Sequence, residues 1–206
     1  MNIIAHRGYW QCEPEKNTLI AVERALQYGF GFETDYRDYN GEIVISHNIP
    51  KGVEPKAEVV FQLYKKYHSQ STLAINVKSD GLQESLKKLL DKYSISNYFL
   101  FDMSIPDTIG YVTLDMHIAS RKSEYEKELP FYNSSAFVWL DCFKGDWITE
   151  QDISVHLEAG KKVCIVSPEL HKRPYKEIWE KYKNIQSENV MLCTDFPEEA
   201  ESFFNQ

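Results

Sequence analysis

The sequence lacks an apolar run of membrane-spanning length, and it lacks an excess of positive charge. Its 206 residues carry 23 Lys and Arg against 31 Asp and Glu, which gives a formal net charge of −8. Nucleic acids and anionic membranes are bound through broad basic faces, which this composition does not supply. We therefore expect no nucleic-acid partner and no stable membrane insertion, although a local basic pocket for a small phosphate stays compatible with the charge.

Cysteine is scarce, and no two cysteines stand in a C-x-x-C pair. The four thiols are widely spaced, at Cys12, Cys142, Cys164 and Cys193. Three of them lie in apolar runs, so buried reduced thiols are favoured over a disulfide framework. Residues 2–5 are typical of a core strand and leave no room for a signal peptide, so we expect a cytoplasmic protein.

Short apolar runs alternate with amphipathic stretches, and no linker, repeat or low-complexity segment interrupts them. With 43% hydrophobic residues, residues 1–206 are long enough for one packed core and short for two, so a single domain is expected. The predicted strands cover residues 3–5, 32–36, 73–77, 98–101, 114–118, 136–140, 163–166 and 190–193. The predicted helices cover residues 19–28, 57–67, 82–93, 123–129, 150–159 and 175–183, and residues 106–110 are too short and irregular to assign.

Eight strands separated by helices predict an α/β fold, with a parallel sheet and right-handed crossovers. Closure into a compact (β/α)8 TIM barrel is the economical arrangement for eight strands. At roughly 26 residues per unit, the barrel is smaller than the ~250 residues usual for the class. An open doubly wound sheet is the structural alternative.

A small hairpin is expected after the second strand, at the dipeptide Asn40-Gly41. It folds the chain back and returns His47 to the neighbourhood of Glu33 and Asp35. A two-residue turn would pair His47 opposite Thr34, on the wrong face of the strand. We therefore expect either a bulged three-residue loop, which pairs His47 with Asp35, or a strand that ends before His47.

Glu33 and Asp35 are two residues apart on a predicted strand, so their carboxylates project from the same face. Two acids at that spacing repel each other unless a cation lies between them, and oxygen ligands suit Mg²⁺ or Ca²⁺. The flanking Phe32 and Tyr36 mark a buried strand, which favours a bound cation over a solvated acidic face. We therefore expect one divalent cation at this pair.

His6 directly follows the first core strand, where a barrel places its catalytic groups. Arg7 offers a fork of donors that suits a phosphate, and Gly8 lets the backbone approach a ligand closely. His47 supplies a second imidazole, the side-chain type best suited to exchange protons near neutral pH. Together with the carboxylate pair, these residues can hold a phosphate, bind a cation and move two protons, which points to phosphodiester chemistry.

Five motifs of the sequence resemble those of the glycerophosphodiester phosphodiesterases, a family of PI-PLC-like phosphodiesterase barrels. They are His6-Arg7-Gly8, Pro14-Glu15-Lys16-Asn17-Thr18, Glu33-Thr34-Asp35, Ile45-Ser46-His47 and Thr194-Asp195-Phe196-Pro197. The resemblance runs from residue 3 to about residue 203 and is most specific in the N-terminal half. By these motifs the chain is identified as a divergent member of the family, and Asn17 is expected to cap the first helix.

The resemblance implies a (β/α)8 barrel with one divalent cation at the C-terminal mouth of the strands. Glu33 and Asp35 match the metal carboxylates, and Arg7 matches the arginine that holds the phosphate. His6 and His47 match the general acid and base. The reaction would begin with attack of the substrate's own neighbouring hydroxyl on phosphorus, and water would then open the resulting cyclic phosphate.

The sequence also departs from the family pattern. Asn76 stands where the family has a third metal carboxylate, so the site loses one negative charge. Asp102, Asp115 or Asp141 could replace it, and Asp141 ends its predicted strand most cleanly. Lys78 matches the family's lysine and is expected to contact phosphate. Arg121, after the fifth strand, lies near the expected position of a second phosphate or a sugar group. Asn48 replaces the Asp that normally follows the second histidine.

Two functions stay open at this point. A metal-dependent phosphodiesterase for a small glycerol- or sugar-linked phosphodiester is favoured by the retained His6 and His47, and lyase chemistry that stops at the cyclic product uses the same residues. A phosphate-ligand binding barrel with weakened metal binding is favoured by Asn76 and Asn48. The short βα loops indicate an open mouth and a water-soluble substrate, and they carry no motif that identifies the leaving alcohol.

Overall fold

Eight parallel strands form an almost closed barrel in the computed structural model, which describes residues 1–185 and 187–205. The parallel strands are β1 (Asn2–Ala5), β2 (Gly31–Tyr39), β4 (Leu73–Val77), β5 (Tyr98–Phe101), β6 (Ala119–Lys122), β7 (Phe137–Leu140), β8 (Lys162–Val166) and β9 (Val190–Thr194), and β3 (Glu42–Ile45) is antiparallel to β2. The helices are α1 (Leu19–Tyr28), α2 (Ala57–Lys66), α3 (Gln83–Tyr93), α4 (Ile105–Thr113), α5 (Glu150–Glu158), α6 (Lys176–Tyr182) and α7 (Pro197–Phe204).

The strands follow the order β5-β4-β2-β1-β9-β8-β7-β6 around the barrel. Within the described residues, β5 and the segment leading into β6 meet through an isolated bridge between Leu100 and Ile118. There the Leu100 amide donates to the His117 carbonyl at 2.9 Å. The expected (β/α)8 barrel is therefore confirmed over the open doubly wound sheet, with a seam between β5 and β6.

Two elements predicted between β5 and β7 are wrong: a strand at residues 114–118 and a helix at residues 123–129. The chain instead forms α4, which the sequence analysis left unassigned. The Ser104 hydroxyl caps α4 by accepting the Asp107 amide, and Pro106 lies in the first turn, where its missing N–H removes no helical hydrogen bond. The cap and the proline together start this helix, which hydrophobic periodicity alone does not predict.

The apolar residues at the end of this region serve the core without forming a strand. Met116 and Ile118 are buried in the turn that follows α4, and pairing with β7 begins only at Ala119. Residues 123–129 form a loop because Ser123 and Glu126 bond to each other through both backbone and side chain. The local bonds of that loop replace those of a helix.

Helix α1 begins and ends at residues with clear local signals. The Thr18 hydroxyl accepts the Ala21 amide at 3.4 Å, and Gly29 ends the helix with φ +76°. The cap is therefore Thr18, and the expectation that Asn17 caps the helix is wrong. The Asn17 side chain is used elsewhere, as described below.

The side chains that point into the barrel differ in character from strand to strand. Phe99 stacks on Phe137 with centroids 4.5 Å apart, and Phe101 stacks on Trp139 at 4.1 Å, which fills the side formed by β5 and β7. Strand β2 lies four strands away from β7 in the barrel. Its residues Phe32 and Tyr36 point to the outer core, so the alternate residues Glu33 and Asp35 face inward. Strands β5 and β7 thus contribute aromatic rings to the interior, and β2 contributes carboxylates.

The hairpin at Asn40-Gly41 has a two-residue turn, with both central residues at positive φ (50° and 82°). Tyr36 pairs with Ile45 and Tyr39 with Glu42, so the bulged three-residue loop is wrong. The alternative, a strand that ends before His47, is confirmed, because β3 stops at Ile45. Free of the ladder, His47 can turn toward the interior face of β2.

Other expectations from composition are also met in the described residues. All four cysteines are free, and Cys142, Cys164 and Cys193 are buried. None of the helices in residues 1–185 and 187–205 combines the length and the apolar character needed to cross a membrane.

We expect Gly8→Ala to destabilise the protein more than Gly29→Ala does. Both glycines have φ near +80°, which costs other residues about 1–2 kcal/mol. At Gly8 an added Cβ would also lie 2.8 Å from the backbone carbon of Ala21 in α1, whereas at Gly29 it meets no atom within 4 Å. The overlap adds roughly 1–3 kcal/mol, measurable as a lower urea midpoint; equal losses for the two variants would contradict the close approach.

Candidate active site

A cavity of about 240 Å³ opens at the C-terminal ends of the strands, where barrels hold their functional groups. Ten of its lining side chains are ionisable or carry an amide: His6, Arg7, Glu33, His47, Asn76, Lys78, Asp102, Arg121, Asp141 and His171. A cavity of about 360 Å³ at the opposite end of the barrel is lined mainly by backbone and uncharged side chains. Chemistry rather than size therefore marks the mouth as the candidate site.

His6 is held by a carboxylate that arrives from the other end of the chain. Its Nδ1 lies 2.7 Å from Oδ1 of Asp195, just past β9, which neighbours β1. An ionised carboxylate only accepts, so Nδ1 carries the proton and Nε2 is left as the acceptor, 3.9 Å from a Glu33 oxygen. Burial would raise the pKa of Asp195, but the hydrogen bond and charge of His6 outweigh it and lower the pKa.

Asp195 has no role among the predicted site residues, although it lies in one of the five family-like motifs. The signal was the position of Thr194-Asp195 directly after the last predicted strand. To connect Asp195 with His6 requires that the first and last strands are neighbours, and this adjacency arises only when the barrel closes.

Glu33 is 1% exposed and only half satisfied. Its Oε2 accepts the Arg7 amide at 3.0 Å, while its Oε1 is buried without a donor. Burial and, to a smaller extent, the charge of Asp35 raise the pKa of Glu33 to about 7, against the opposing effects of His6 and Arg7. Such a carboxylate is poised to receive a cation.

Asp35, equally buried, is surrounded by donors and positive charges. Its Oδ2 accepts the Asn17 amide at 2.8 Å, and its own N–H donates to Asn17 Oδ1 at 3.2 Å. Lys78 Nζ lies 3.6 Å and Arg7 Nε 3.4 Å from the carboxylate. Burial alone would raise the pKa of Asp35, but the charges of Lys78 and Arg7 outweigh it and lower the pKa. Asn17 thus supports the site rather than a helix.

His47 reaches the same carboxylate, as the hairpin predicted. Its Nδ1 lies 3.2 Å from both Asp35 oxygens and 3.0 Å from Arg7 Nη2. Asp35 accepts a proton from that nitrogen, whereas Arg7 donates one to it, so the two contacts favour opposite tautomers of the ring. With 44% of its side chain exposed, His47 stands at the open rim.

Asn76 lies beside Asp35 in the register of β2 and β4, and its Oδ1 is buried without a donor. Among the described residues, no three His, Cys, Asp or Glu side chains come close enough to hold a metal ion, and Asp141 is bonded to His171. The two carboxylates and the amide oxygen of Asn76 nevertheless fit a hard cation such as Mg²⁺ or Ca²⁺, because two of these oxygens are buried and unsatisfied.

Lys78 and Arg121 meet at Asp102 rather than standing free. Lys78 Nζ lies 3.1 Å from one oxygen of Asp102, and Arg121 Nη1 lies 2.7 Å from the other. The remaining edge of the Arg121 guanidinium is bonded to Glu126. Lys78 therefore sits between Asp35 and Asp102 at the cavity wall, whereas Arg121 has few donors left for a ligand.

On the far wall, Asp141 accepts from His171 Nε2 at 2.6 Å, and the Phe143 ring packs 4.7 Å from the imidazole. The loop that carries Phe143 is fixed by Glu124, whose carboxylate accepts the amides of residues 143, 144 and 145 at 2.9–3.0 Å. Burial would raise the pKa of Glu124, but these backbone donors outweigh it and lower the pKa to about 2.

We expect Glu124→Gln to destabilise the protein near neutral pH and not below pH 2. The folded pKa of Glu124 lies below its unfolded value of ~4.3, so its contribution is fully present above the unfolded value and is lost as pH falls toward about 2. Urea unfolding of wild type and variant from pH 7 to pH 2 measures this. A difference in stability that does not change with pH would contradict the role of the carboxylate charge.

Comparison with known proteins gives matches in structure only. No protein-family model and no curated protein sequence matches the chain. A proposed glycerophosphodiester phosphodiesterase from Galdieria sulphuraria shares 18% identity at a TM-score of 0.80, over 100% of this chain and 98% of that one. The glycerophosphodiester phosphodiesterase from Agrobacterium tumefaciens shares 14% at 0.75, over 100% of both chains.

A third similar structure was solved with a bound molecule. It is an Oleispira antarctica phosphodiesterase in complex with the product sn-glycerol-3-phosphate, with 15% identity and a TM-score of 0.70 over 100% of this chain and 97% of that one. At these identities the likeness establishes a shared barrel fold.

Proposed function

We propose that this chain is a divergent glycerophosphodiester phosphodiesterase: a phosphoric diester hydrolase that cleaves a small glycerol- or sugar-linked phosphodiester with the help of one divalent cation. The observation that carries the proposal is His6, whose free Nε2 faces the cavity beside Glu33 and Arg7. A module that only binds phosphate has no need of an imidazole with a fixed tautomer. The reduced thiols support a cytoplasmic setting.

The names and the bound product of the similar structures support the proposal. Two are named as glycerophosphodiester phosphodiesterases, one of these only as a proposed one, and a third holds sn-glycerol-3-phosphate as product. They share this barrel along nearly their whole lengths, so the mouth of the strands occupies the equivalent place in each. A small phosphodiester of glycerol is the substrate class that this likeness favours.

The chain's own groups divide into those that hold phosphate and those that move protons. Arg7 and Lys78 bring positive charge beside Asp35, where the phosphoryl oxygens of the substrate would lie. Glu33, Asp35 and Asn76 would hold the cation, which when bound supplies further positive charge for the oxygens that develop charge during the reaction. Their burial excludes water and strengthens these interactions.

His6 and His47 are the proposed proton carriers. One imidazole takes the proton of the substrate hydroxyl that attacks phosphorus, and the other gives a proton to the alcohol oxygen as its bond to phosphorus breaks. In the second half the roles reverse, as water opens the cyclic phosphate. Asp195 keeps Nε2 of His6 unprotonated in the neutral ring, so His6 suits the role of first base.

Asn76 favours one alternative, a phosphate-ligand binding barrel without turnover. An amide in place of a carboxylate lowers the charge that attracts the cation. The two functions differ in whether substrate is consumed, so a single set of assays separates them.

We expect metal-dependent hydrolysis of bis-p-nitrophenyl phosphate and of a panel of glycerophosphodiesters, abolished by EDTA and restored by Mg²⁺ or Ca²⁺. His6→Ala should lower kcat by roughly 10²–10⁴-fold. Glu33→Gln, which keeps the shape of the side chain, should raise the metal concentration required for half-maximal rate. Glu23→Gln, a surface substitution on α1, serves as the matched control. Binding of glycerol phosphate with no turnover under any metal would establish the binding barrel instead.

We expect Asp195→Asn to leave substrate binding intact and to lower kcat, by up to roughly 10²–10⁴-fold. The amide can donate to Nδ1 of His6, which would place the ring proton on Nε2 and remove the base. The pH profile of kcat separates this from a general loss of structure, because a tautomer change alters the limb that reports His6. An unchanged kcat would show that Asp195 does not orient the ring.

A further inference from the structure

A second histidine–carboxylate pair lies across the cavity from His6. His171 ends the short 3₁₀ turn Pro168–His171 after β8, and Asp141 directly follows β7. Their side chains are 22% and 8% exposed and line the same cavity. Because β7 stands four strands from β2 around the barrel, this pair occupies the wall opposite Glu33.

The pair leaves one nitrogen and one oxygen for a ligand. Asp141 Oδ1 accepts the proton of His171 Nε2. Among the residues that the structure describes, neither Nδ1 of His171 nor Oδ2 of Asp141 has a hydrogen-bond partner. The backbone of Asp141 is fixed at the same time, since its N–H donates to the Lys122 carbonyl at 2.9 Å and its carbonyl accepts the Trp147 indole at 3.1 Å.

The surroundings of the pair are apolar and flat. Phe143 packs on the imidazole, and Trp139 and Leu170 complete this part of the cavity lining. A flat apolar wall beside a few fixed polar groups suits a ligand that has both C–H faces and hydroxyls. Glycerol and sugar-like rings have this character.

The charges of the cavity disfavour an ammonium head group at this wall. Asp102 is already shared by Lys78 and Arg121, and Asp141 is already bonded to His171. A choline or ethanolamine cation would therefore compete with Lys78 and Arg121 for Asp102, and with the imidazole of His171 for Asp141. An uncharged alcohol carries no such requirement.

We propose that His171 and Asp141 form the binding site for the alcohol half of the substrate, and that this alcohol is an uncharged polyol. The inference rests on the proposed phosphodiesterase function and narrows its substrate class. Nδ1 of His171 and Oδ2 of Asp141 exchange hydrogen bonds with hydroxyls of the alcohol, while Arg7 and Lys78 hold the phosphate on the opposite wall. The two halves of the diester thus lie on the two walls of the cavity.

The test compares four substrates: glycerophosphoglycerol, glycerophosphoinositol, glycerophosphocholine and bis-p-nitrophenyl phosphate. Wild type should favour the two polyol diesters over the choline diester in kcat/KM. His171→Gln keeps an amide near the position of Nε2 for Asp141 but lacks Nδ1, so kcat/KM for the polyol diesters should fall roughly 10- to 100-fold. The rates on the choline and nitrophenyl substrates should change little.

Asp141→Asn provides a second variant, and thermal unfolding shows whether each variant is folded. His117→Gln is the matched control, because His117 is exposed at the opposite end of β6 and packs on Tyr98. Equal losses on all four substrates in a folded variant, or a wild-type preference for the choline diester, would overturn the polyol site.

Absence of turnover on every diester counts against the proposed function and not against this site. Calorimetric titration of glycerophosphoglycerol and glycerophosphocholine into wild type and His171→Gln then decides, since it needs no catalysis. Weaker binding of glycerophosphoglycerol alone in the variant supports the polyol site. Unchanged binding of both ligands contradicts it.

Discussion

The burial of two carboxylates on one face of β2 is the constraint on which the candidate site depends. Charges removed from water must be matched by donors or opposite charges, or they are lost to protonation. Asp35 is matched completely, and its partners come from four separate segments of the chain: Arg7, Asn17, His47 and Lys78. Glu33 is matched only in part. Asp35 therefore holds the side chains of the cavity mouth together, and Glu33 keeps an oxygen that can bind a ligand.

The aromatic and the carboxylate-bearing strands lie on opposite sides of the barrel interior. Aromatic rings from β5 and β7 fill one side of the interior, and the buried carboxylates Glu33 and Asp35 lie on β2 across from β7. Low-polarity surroundings make each remaining electrostatic contact stronger. A substrate with a charged centre and an uncharged substituent matches such a cavity better than one that carries charge at both ends.

The sequence could predict what depends on neighbours in the chain. Strand alternation places Glu33 and Asp35 on one face, and Asn40-Gly41 returns His47 to them, although the turn type needed the structure to decide. It could not predict contacts that depend on which strands are adjacent, such as His6 with Asp195 or Asp141 with His171. The error at residues 114–118 has a related cause, because an apolar turn and an apolar strand have the same local pattern.

The bond between His6 and Asp195 spans 189 positions of the chain. During synthesis the histidine therefore leaves the ribosome roughly 10–40 s before its carboxylate does, at rates of about 5–20 residues per second. Through most of that interval the nascent chain carries His6, Arg7 and the acidic strand but lacks the group that fixes the proton on the ring. The proposed activity therefore depends on the final strand, and a polypeptide released early carries the N-terminal motifs without the carboxylate that orients His6.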